Sequence, residues 1–135
     1  MIYISIMIAE RTTKYTDAVK TYMRSAKHAT NGQILEYLHI TYPDLSATTV
    51  HRITTRMLER GDLLCAPPTS SKLSRFDFNV KTHDHFQCVN CDRLRDVELP
   101  LDLFKVIQDK LGDCKLNGGL TVQGSCAKCL KKKKI

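Results

Sequence analysis

Apolar residues recur at helical spacing along the first half of the chain. Ala18, Val19, Tyr22, Met23 and Ala26 predict one helical face. Thr30 followed by Gln33 predicts a capping box, in which the hydroxyl and the amide satisfy orphan backbone groups at a helix start. Ile34, Leu35 and Leu38 form the buried stripe of that helix, and Tyr42-Pro43-Asp44 breaks it. Ser46 caps a third helix, Ala47 to about Arg60, with Val50, Ile53, Met57 and Leu58 on one face. Its other face carries Thr48, Thr49, His51, Arg52, Thr55, Arg56 and Arg60, and Gly61 sits where a C-cap belongs. Leu63–Cys65 and Arg75–Val80 read as strands around the turn Pro67-Pro68-Thr69-Ser70-Ser71, which makes a wing. Two helices, a short turn, a basic and hydroxyl-rich second helix and a wing form the pattern of a winged helix-turn-helix, with DNA as its partner. The competing reading of the arginine face is an ordinary solvated surface.

The pattern changes near Lys81. His85–Val89 and Arg93–Leu99 predict short strands flanking a turn. Pro100 opens a helix with Leu103, Phe104, Ile107 and Leu111 on one face, and Gly118–Gln123 predicts a last strand. Lys131–Lys134 reads as a solvated tail, with nonspecific phosphate contact as the alternative. The expected fold class is α+β, an N-terminal winged helix-turn-helix over residues 1–79 followed by a small α/β domain over residues 80–135 that holds a four-cysteine zinc site.

Composition narrows the partner. The chain has 135 residues and a formal charge of +7, which points to a polyanionic partner, with a basic surface that binds nothing as the alternative. Met1–Ala9 is the longest apolar stretch and is too short to span a bilayer. It lacks a signal peptide's basic start and cleavage site, so no membrane and a cytoplasmic location are expected. It reads as an extra strand or arm, or as sequence upstream of a second start at Met7. Six cysteines without a secretion signal argue against a disulfide scaffold. No nucleophile–base pair and no open-position zinc pattern is present, so neither an enzyme nor a small-molecule substrate is expected.

The candidate chemistry lies in the second half. Cys88-Val89-Asn90-Cys91 and Cys126-Ala127-Lys128-Cys129 are two C-x-x-C knuckles. Each tight turn directs two sulfurs at one ion, and two turns supply a tetrahedral, structural zinc site with no open position. An iron–sulfur cluster or a redox dithiol are the rivals, each needing exposed, reactive sulfur. Cys65 and Cys114 lack such partners and read as spare thiols. The second constellation is Asp77, His83, His85 and Asp96. His83-Asp84-His85 alternates as a strand does, so both imidazoles face one side. Nitrogen and oxygen ligands suit iron(II), manganese(II) or zinc, and the absence of thiolate favours the first two. Surface histidines paired with carboxylates are the plainer alternative.

The run Arg75-Phe76-Asp77-Phe78, then His83-Asp84-His85-Phe86-Gln87-Cys88-Val89-Asn90-Cys91, Asp96 and Cys126-Ala127-Lys128-Cys129, resembles the ferric uptake regulator family. Ser46-Ala47-Thr48-Thr49-Val50-His51-Arg52 is similar to its recognition-helix signature. The likeness covers about Thr12 to Lys131. It implies a winged-helix DNA-binding domain joined to an α/β dimerisation domain, in a homodimeric repressor of a palindromic double-stranded operator. It implies that Cys88, Cys91, Cys126 and Cys129 ligate structural zinc, and that His28, Asp77, His83, His85 and Asp96 ligate a regulatory iron(II) or manganese(II). By periodicity alone, His28 is only a polar loop residue before a helix cap. Ser46, Thr48, Thr49, His51, Arg52, Thr55, Arg56 and Arg60 become the DNA-facing set, with Lys72 and Arg75 of the wing meeting the DNA backbone.

Aspartate at positions 77 and 96 is similar to the peroxide-sensing branch. There, bound iron(II) reduces peroxide and a histidine ligand is oxidised; His28 and His83 match the oxidised positions. Iron sensing ranks next and zinc sensing third, and a zinc-held protein-interaction module is the alternative of another class. An ion with ligands from both halves would brace Asn79–Thr82 and bias the chain toward DNA by its differential affinity for that arrangement. The recognition helices of a dimer would then lie about 34–36 Å apart, one turn of DNA. The sequence departs from the family pattern at His51, where tyrosine is usual, at Thr82 and Gly118, where histidines are common, and at Asp92, where glycine is usual.

Overall fold

A computed structural model describes the backbone of residues 2–133 and the side chains of residues 14–132. The chain divides into two compact units, Met1–Val80 and Lys81–Ile135.

The first unit begins with α1 (Ile2–Ala26), a single helix that includes Ile2–Ala9, so that stretch is not a separate strand or arm. Lys27 ends it with φ +68°. A short strand β1 (His28–Thr30) follows, where the sequence pattern gives only a loop; three residues are too few to display a period. α2 (Asn31–Leu38) starts with the expected capping box: the Thr30 hydroxyl accepts from Gln33 N–H, and the Gln33 side chain accepts from Thr30 N–H. α2 ends at His39, one turn before Tyr42-Pro43-Asp44. α3 (Ala47–Arg60) is capped by Ser46 and closed by Gly61 in the left-handed conformation, φ +78°. β2 (Leu64–Ala66) and β3 (Arg75–Asp77) form the wing, and β3 pairs antiparallel with both β1 and β2. This is a winged helix-turn-helix. Val19 and Met23 of α1, Ile34 and Leu38 of α2, and Val50, Ile53 and Met57 of α3 close its core with Phe76 of β3. Each such side chain contributes roughly 1.5–3 kcal/mol of burial.

Arg75 is a correction to the expected wing contact. It is buried, and its guanidinium donates to the carbonyls of Pro67 (2.9 Å) and Pro68 (3.2 Å). Held by these carbonyls, the guanidinium fastens the wing from inside and does not reach outward.

In the second unit, β4 (Asp84–Cys88) is the middle strand, antiparallel to β5 (Leu94–Val97) and parallel to β6 (Thr121–Gly124). The parallel pairing is made by the crossover through α4 (Leu101–Leu111). None of the residues on the apolar face expected of α4 is buried; Leu103 and Leu111 are exposed by 36% and 40%, and outside that face Leu101 and Val106 are more exposed still. α5 (Ala127–Lys133) makes Lys131–Lys133 helical and not a tail; Lys134 lies outside the described residues. No helix among the described residues is long and apolar enough to cross a membrane.

Candidate functional site

The sulfur cluster follows from the sheet register. β4 ends at Cys88, which sits opposite Gly124 of β6, so the second knuckle begins beside the first. Asn90 Nδ2 donates to Ser125 Oγ at 2.8 Å and ties the two turns together. Asp92, in place of the usual glycine, adopts φ +64°, a conformation aspartate tolerates better than most residues, and its N–H donates to Cys88 O at 3.0 Å. The Cys88–Cys129 and Cys91–Cys126 sulfur separations are each 3.7 Å. A tetrahedron with zinc–sulfur bonds of about 2.3 Å has sulfur–sulfur edges of about 3.8 Å. All four sulfurs lie within 4.8 Å of one another, and none is in a disulfide. The geometry therefore fits one zinc ion, and Cys88, Cys91, Cys126 and Cys129 constitute a structural zinc site.

Local hydrogen bonds prepare that site. The Cys126 N–H donates to Cys88 Sγ at 3.3 Å, and this bond leads the causes that draw the Cys88 thiol down from 9.0 to about 6. Cys126 is also lowered, led by the backbone N–H of Cys129. Cys129 is pushed up to about 12, chiefly by its hydrogen bond to Cys126. Before metal binds, the cluster thus shares protons among thiols and thiolates.

Three further donors of the second unit converge. Asp96 of β5 faces His85 of β4 in the antiparallel register. The Nε2 atoms of His83 and His85 approach the same Asp96 oxygen, at 3.2 and 3.4 Å. The His83 ring donates from Nδ1 to Lys81 O at 2.6 Å, which leaves the neutral ring's lone pair on Nε2, the atom aimed at the cluster. Between the two histidines, buried Asp84 faces the opposite way and accepts from Leu120 N–H (3.0 Å) and Leu99 N–H (3.2 Å). It fixes the strand that presents both imidazoles. Gly119 is required nearby, because a Cβ there would lie 1.8 Å from His83 O.

The first unit holds a smaller pair. His28 and Asp77 are opposite one another in β1 and β3, with Nε2 and Oδ2 3.6 Å apart. Asp77 is almost wholly buried, and its other oxygen accepts from Asn79 N–H at 2.9 Å. Strand β1 carries the signal that the sequence pattern lacked: His28 is presented by strand pairing with a residue 49 positions away, which periodicity cannot detect. Imidazole and carboxylate donors without thiolate suit iron(II) or manganese(II) in both sets.

α3 presents Thr48, His51, Arg52, Thr55, Arg56 and Arg60 as exposed residues. Ser46 and Thr49 are engaged in the cap: the Ser46 hydroxyl accepts from Thr49 N–H at 3.1 Å and lies 2.9 Å from Thr49 Oγ1. Asn31 and Thr54 hydrogen-bond to each other beneath this helix, and neither stood out in the sequence.

The chain matches the ferric uptake regulator family over residues 10–114. It is 29% identical to the peroxide operon regulator of Bacillus subtilis over 125 residues, which cover 90% of this chain and 86% of that protein. Among solved structures, the Campylobacter jejuni peroxide stress regulator superposes with a TM-score of 0.73 at 16% identity, covering 96% of this chain and 98% of the other. A zinc uptake regulator in complex with zinc and DNA gives a TM-score of 0.59 at 20% identity, covering 99% and 95%. With the family match extending over most of its length and its winged helix and four-cysteine site in place, this chain belongs to the ferric uptake regulator family.

Proposed function

We propose that this chain is a cytoplasmic, homodimeric, metal-responsive transcriptional repressor that binds a palindromic double-stranded DNA operator and senses peroxide. Residues 1–79 are the DNA-binding domain and residues 80–135 the dimerisation and metal-binding domain. His28, Asp77, His83, His85 and Asp96 are the ligands of one regulatory iron(II) or manganese(II). The observation that carries this reading is the convergence of His83 and His85 on one Asp96 oxygen, in a chain whose other histidine–aspartate pair lies at the edge of a winged helix. The two aspartates are the carboxylates of the peroxide-sensing pattern, and the peroxide operon regulator is a relative over most of the chain.

Each residue has a distinct task. Asp96 places a carboxylate oxygen between the two imidazoles of the second unit, beside which an ion would take donors from all three, and Lys81 O orients His83. Asp77 orients His28 from the facing strand. Iron(II), when bound, supplies the electrons that reduce peroxide, and His28 and His83 are the rings that take up oxygen. An oxidised ring is a poorer donor, so the ligand set weakens and the DNA-binding form loses its stabilisation. Arg52, Arg56 and Arg60 supply the contacts to bases and phosphates. The uncovered apolar residues of α4 supply surface for a second copy of the chain.

The test uses the zinc-loaded chain. After iron(II) loading and exposure to peroxide, mass spectrometry should find one added oxygen on His28 or His83, with loss of operator binding. Metal-dependent DNA binding without that oxidation would replace peroxide sensing by simple metal sensing. His28→Ala should abolish the metal response while leaving zinc content and circular dichroism unchanged. Tight metal-triggered binding in that variant would refute the five-ligand site. Equal binding to palindromic and scrambled duplexes across a salt titration would refute the operator.

A further inference from the structure

His51 stands on the exposed face of α3, just past the cap, and its ring is not free to choose its tautomer. His51 Nδ1 lies 3.4 Å from Asn31 Nδ2. Asn31 is the first residue of α2, directly after the reciprocally bonded Thr30–Gln33 cap, so its backbone is fixed. Its side-chain oxygen is already committed: the hydroxyl of wholly buried Thr54 donates to Asn31 Oδ1 at 2.8 Å. Thr54 has a single hydroxyl hydrogen, and the carbonyls of His51 and Val50 lie further off, at 3.1 and 3.2 Å. With Oδ1 accepting, the asparagine turns its NH2 group toward the imidazole. That group only donates, so Nδ1 must offer a lone pair, and the one hydrogen of the neutral ring sits on Nε2.

We propose that His51 is a specificity-determining residue of the DNA interface, held by Asn31 and Thr54 as the Nε2–H tautomer so that it reads a hydrogen-bond acceptor on a base edge. The inference rests on the DNA-binding reading above and deepens it. In the major groove, guanine presents N7 and O6, adenine N7 and thymine O4 as acceptors, whereas cytosine presents only its amino donor. A ring that only donates therefore discriminates against cytosine. Burial of Thr54 matters to this selection, because the hydroxyl that sets the relay is shielded from competing water.

Two measurements on the full zinc- and manganese-loaded chain test this. The first is the nitrogen-15 spectrum of the His51 ring at pH 8, without DNA. The expected result is a protonated Nε2 and an unprotonated Nδ1; a protonated Nδ1 would overturn the inference on its own. The second is selection from a library of randomised duplexes. Cytosine should be depleted about five- to tenfold at one position of each half-site. That depletion should vanish in His51→Ala and weaken in Asn31→Ala, while preferences elsewhere in the site persist. Cytosine depletion that survives His51→Ala at every position overturns the base-reading role, and survival in Asn31→Ala overturns the relay. If the unsubstituted chain enriches no duplex at all, the DNA-binding reading falls and takes this inference with it.

Discussion

In the first unit, apolar side chains from three helices and the small sheet interlock from Val19 to Phe76. In the second, the buried residues are Asp84, His85, Gln87 and Cys88. The second unit contributes no other buried apolar residue among the described residues, and its one long helix buries nothing. A segment of this size has too little interior to stabilise itself by burial. Its order comes from sheet hydrogen bonds, from the Asp84 carboxylate that pins both flanking segments, and from four cysteine sulfurs positioned for one ion. The two halves illustrate alternative ways to offset chain entropy: a hydrophobic core in one and a metal clip in the other.

The largest expected effect separates these two modes. Cys88→Ser, or removal of zinc by a chelator, should unfold β4–β6 and α4 while the three helices of the first unit persist. Residue-resolved hydrogen exchange checks this, and zinc-free protein with protected β4 and β6 amides would break the comparison. The same site gives a pH direction. Cys129 is raised to about 12 and still holds its proton at neutral pH, so zinc must displace a proton to bind. Cys88, lowered to about 6, is already mostly thiolate at pH 7 and becomes protonated as the pH falls through 6. Proton competition therefore grows toward acid, and zinc affinity should drop steeply below pH 6 in a competition titration with a chromophoric chelator.

Ile34→Ala is the counterpart in the first unit. Ile34 is fully buried in the core of α2, and its truncation should cost about 2–5 kcal/mol in denaturant unfolding. Zinc content should stay at one per chain. If this variant also released zinc, the two units would not be separately stabilised.

Legibility in the sequence divides along the same line. The core helices announce themselves because 3.6-residue periodicity and capping chemistry are local: Thr30, Ser46 and Gly61 each act within one turn. The sulfur cluster is equally legible, since each knuckle spans four residues. What the pattern could not show are the arrangements created by long-range pairing. Strand β1 exists because β3 offers it partners, and His28 becomes a facing donor only through that register. Arg75 reads as a basic wing residue, yet the nearby proline carbonyls draw it inward. Asp84 reads as the spacer between two histidines, and its function as an anchor depends on Leu99 and Leu120 arriving from opposite sides. The contacts of Asn31 with His51 and Thr54 join residues 20 and 23 positions apart and have no sequence signature.

Thr30→Ala removes one half of the capping box at α2, since the methyl group cannot accept from Gln33 N–H, whereas the bond from Thr30 N–H to the Gln33 side chain uses the backbone and persists. The expected loss is about 1 kcal/mol, confined to the first unit and visible as a lower denaturation midpoint of its helical signal. A larger loss would mean that Thr30, which also pairs with Arg75 across β1 and β3, secures the wing as well.

The smallest effect has the opposite sign. Lys27 ends α1 with φ +68°, a backbone conformation that costs a lysine roughly 1 kcal/mol because its Cβ crowds the following carbonyl. The turn is nonetheless enforced. Lys27 N–H donates to Met23 O at 2.7 Å, and its carbonyl accepts from Phe78 N–H at 3.0 Å, which draws the chain from α1 into β1. Glycine is the residue this position favours. Lys27→Gly should therefore raise the stability of the first unit by about 0.5 kcal/mol, the relief of strain less the added flexibility of the unfolded chain. The second unit's response to zinc removal should be unchanged. Destabilisation would show that the lysine side chain contributes more than its backbone strain removes, and that the entry to β1 is held by more than the two backbone bonds.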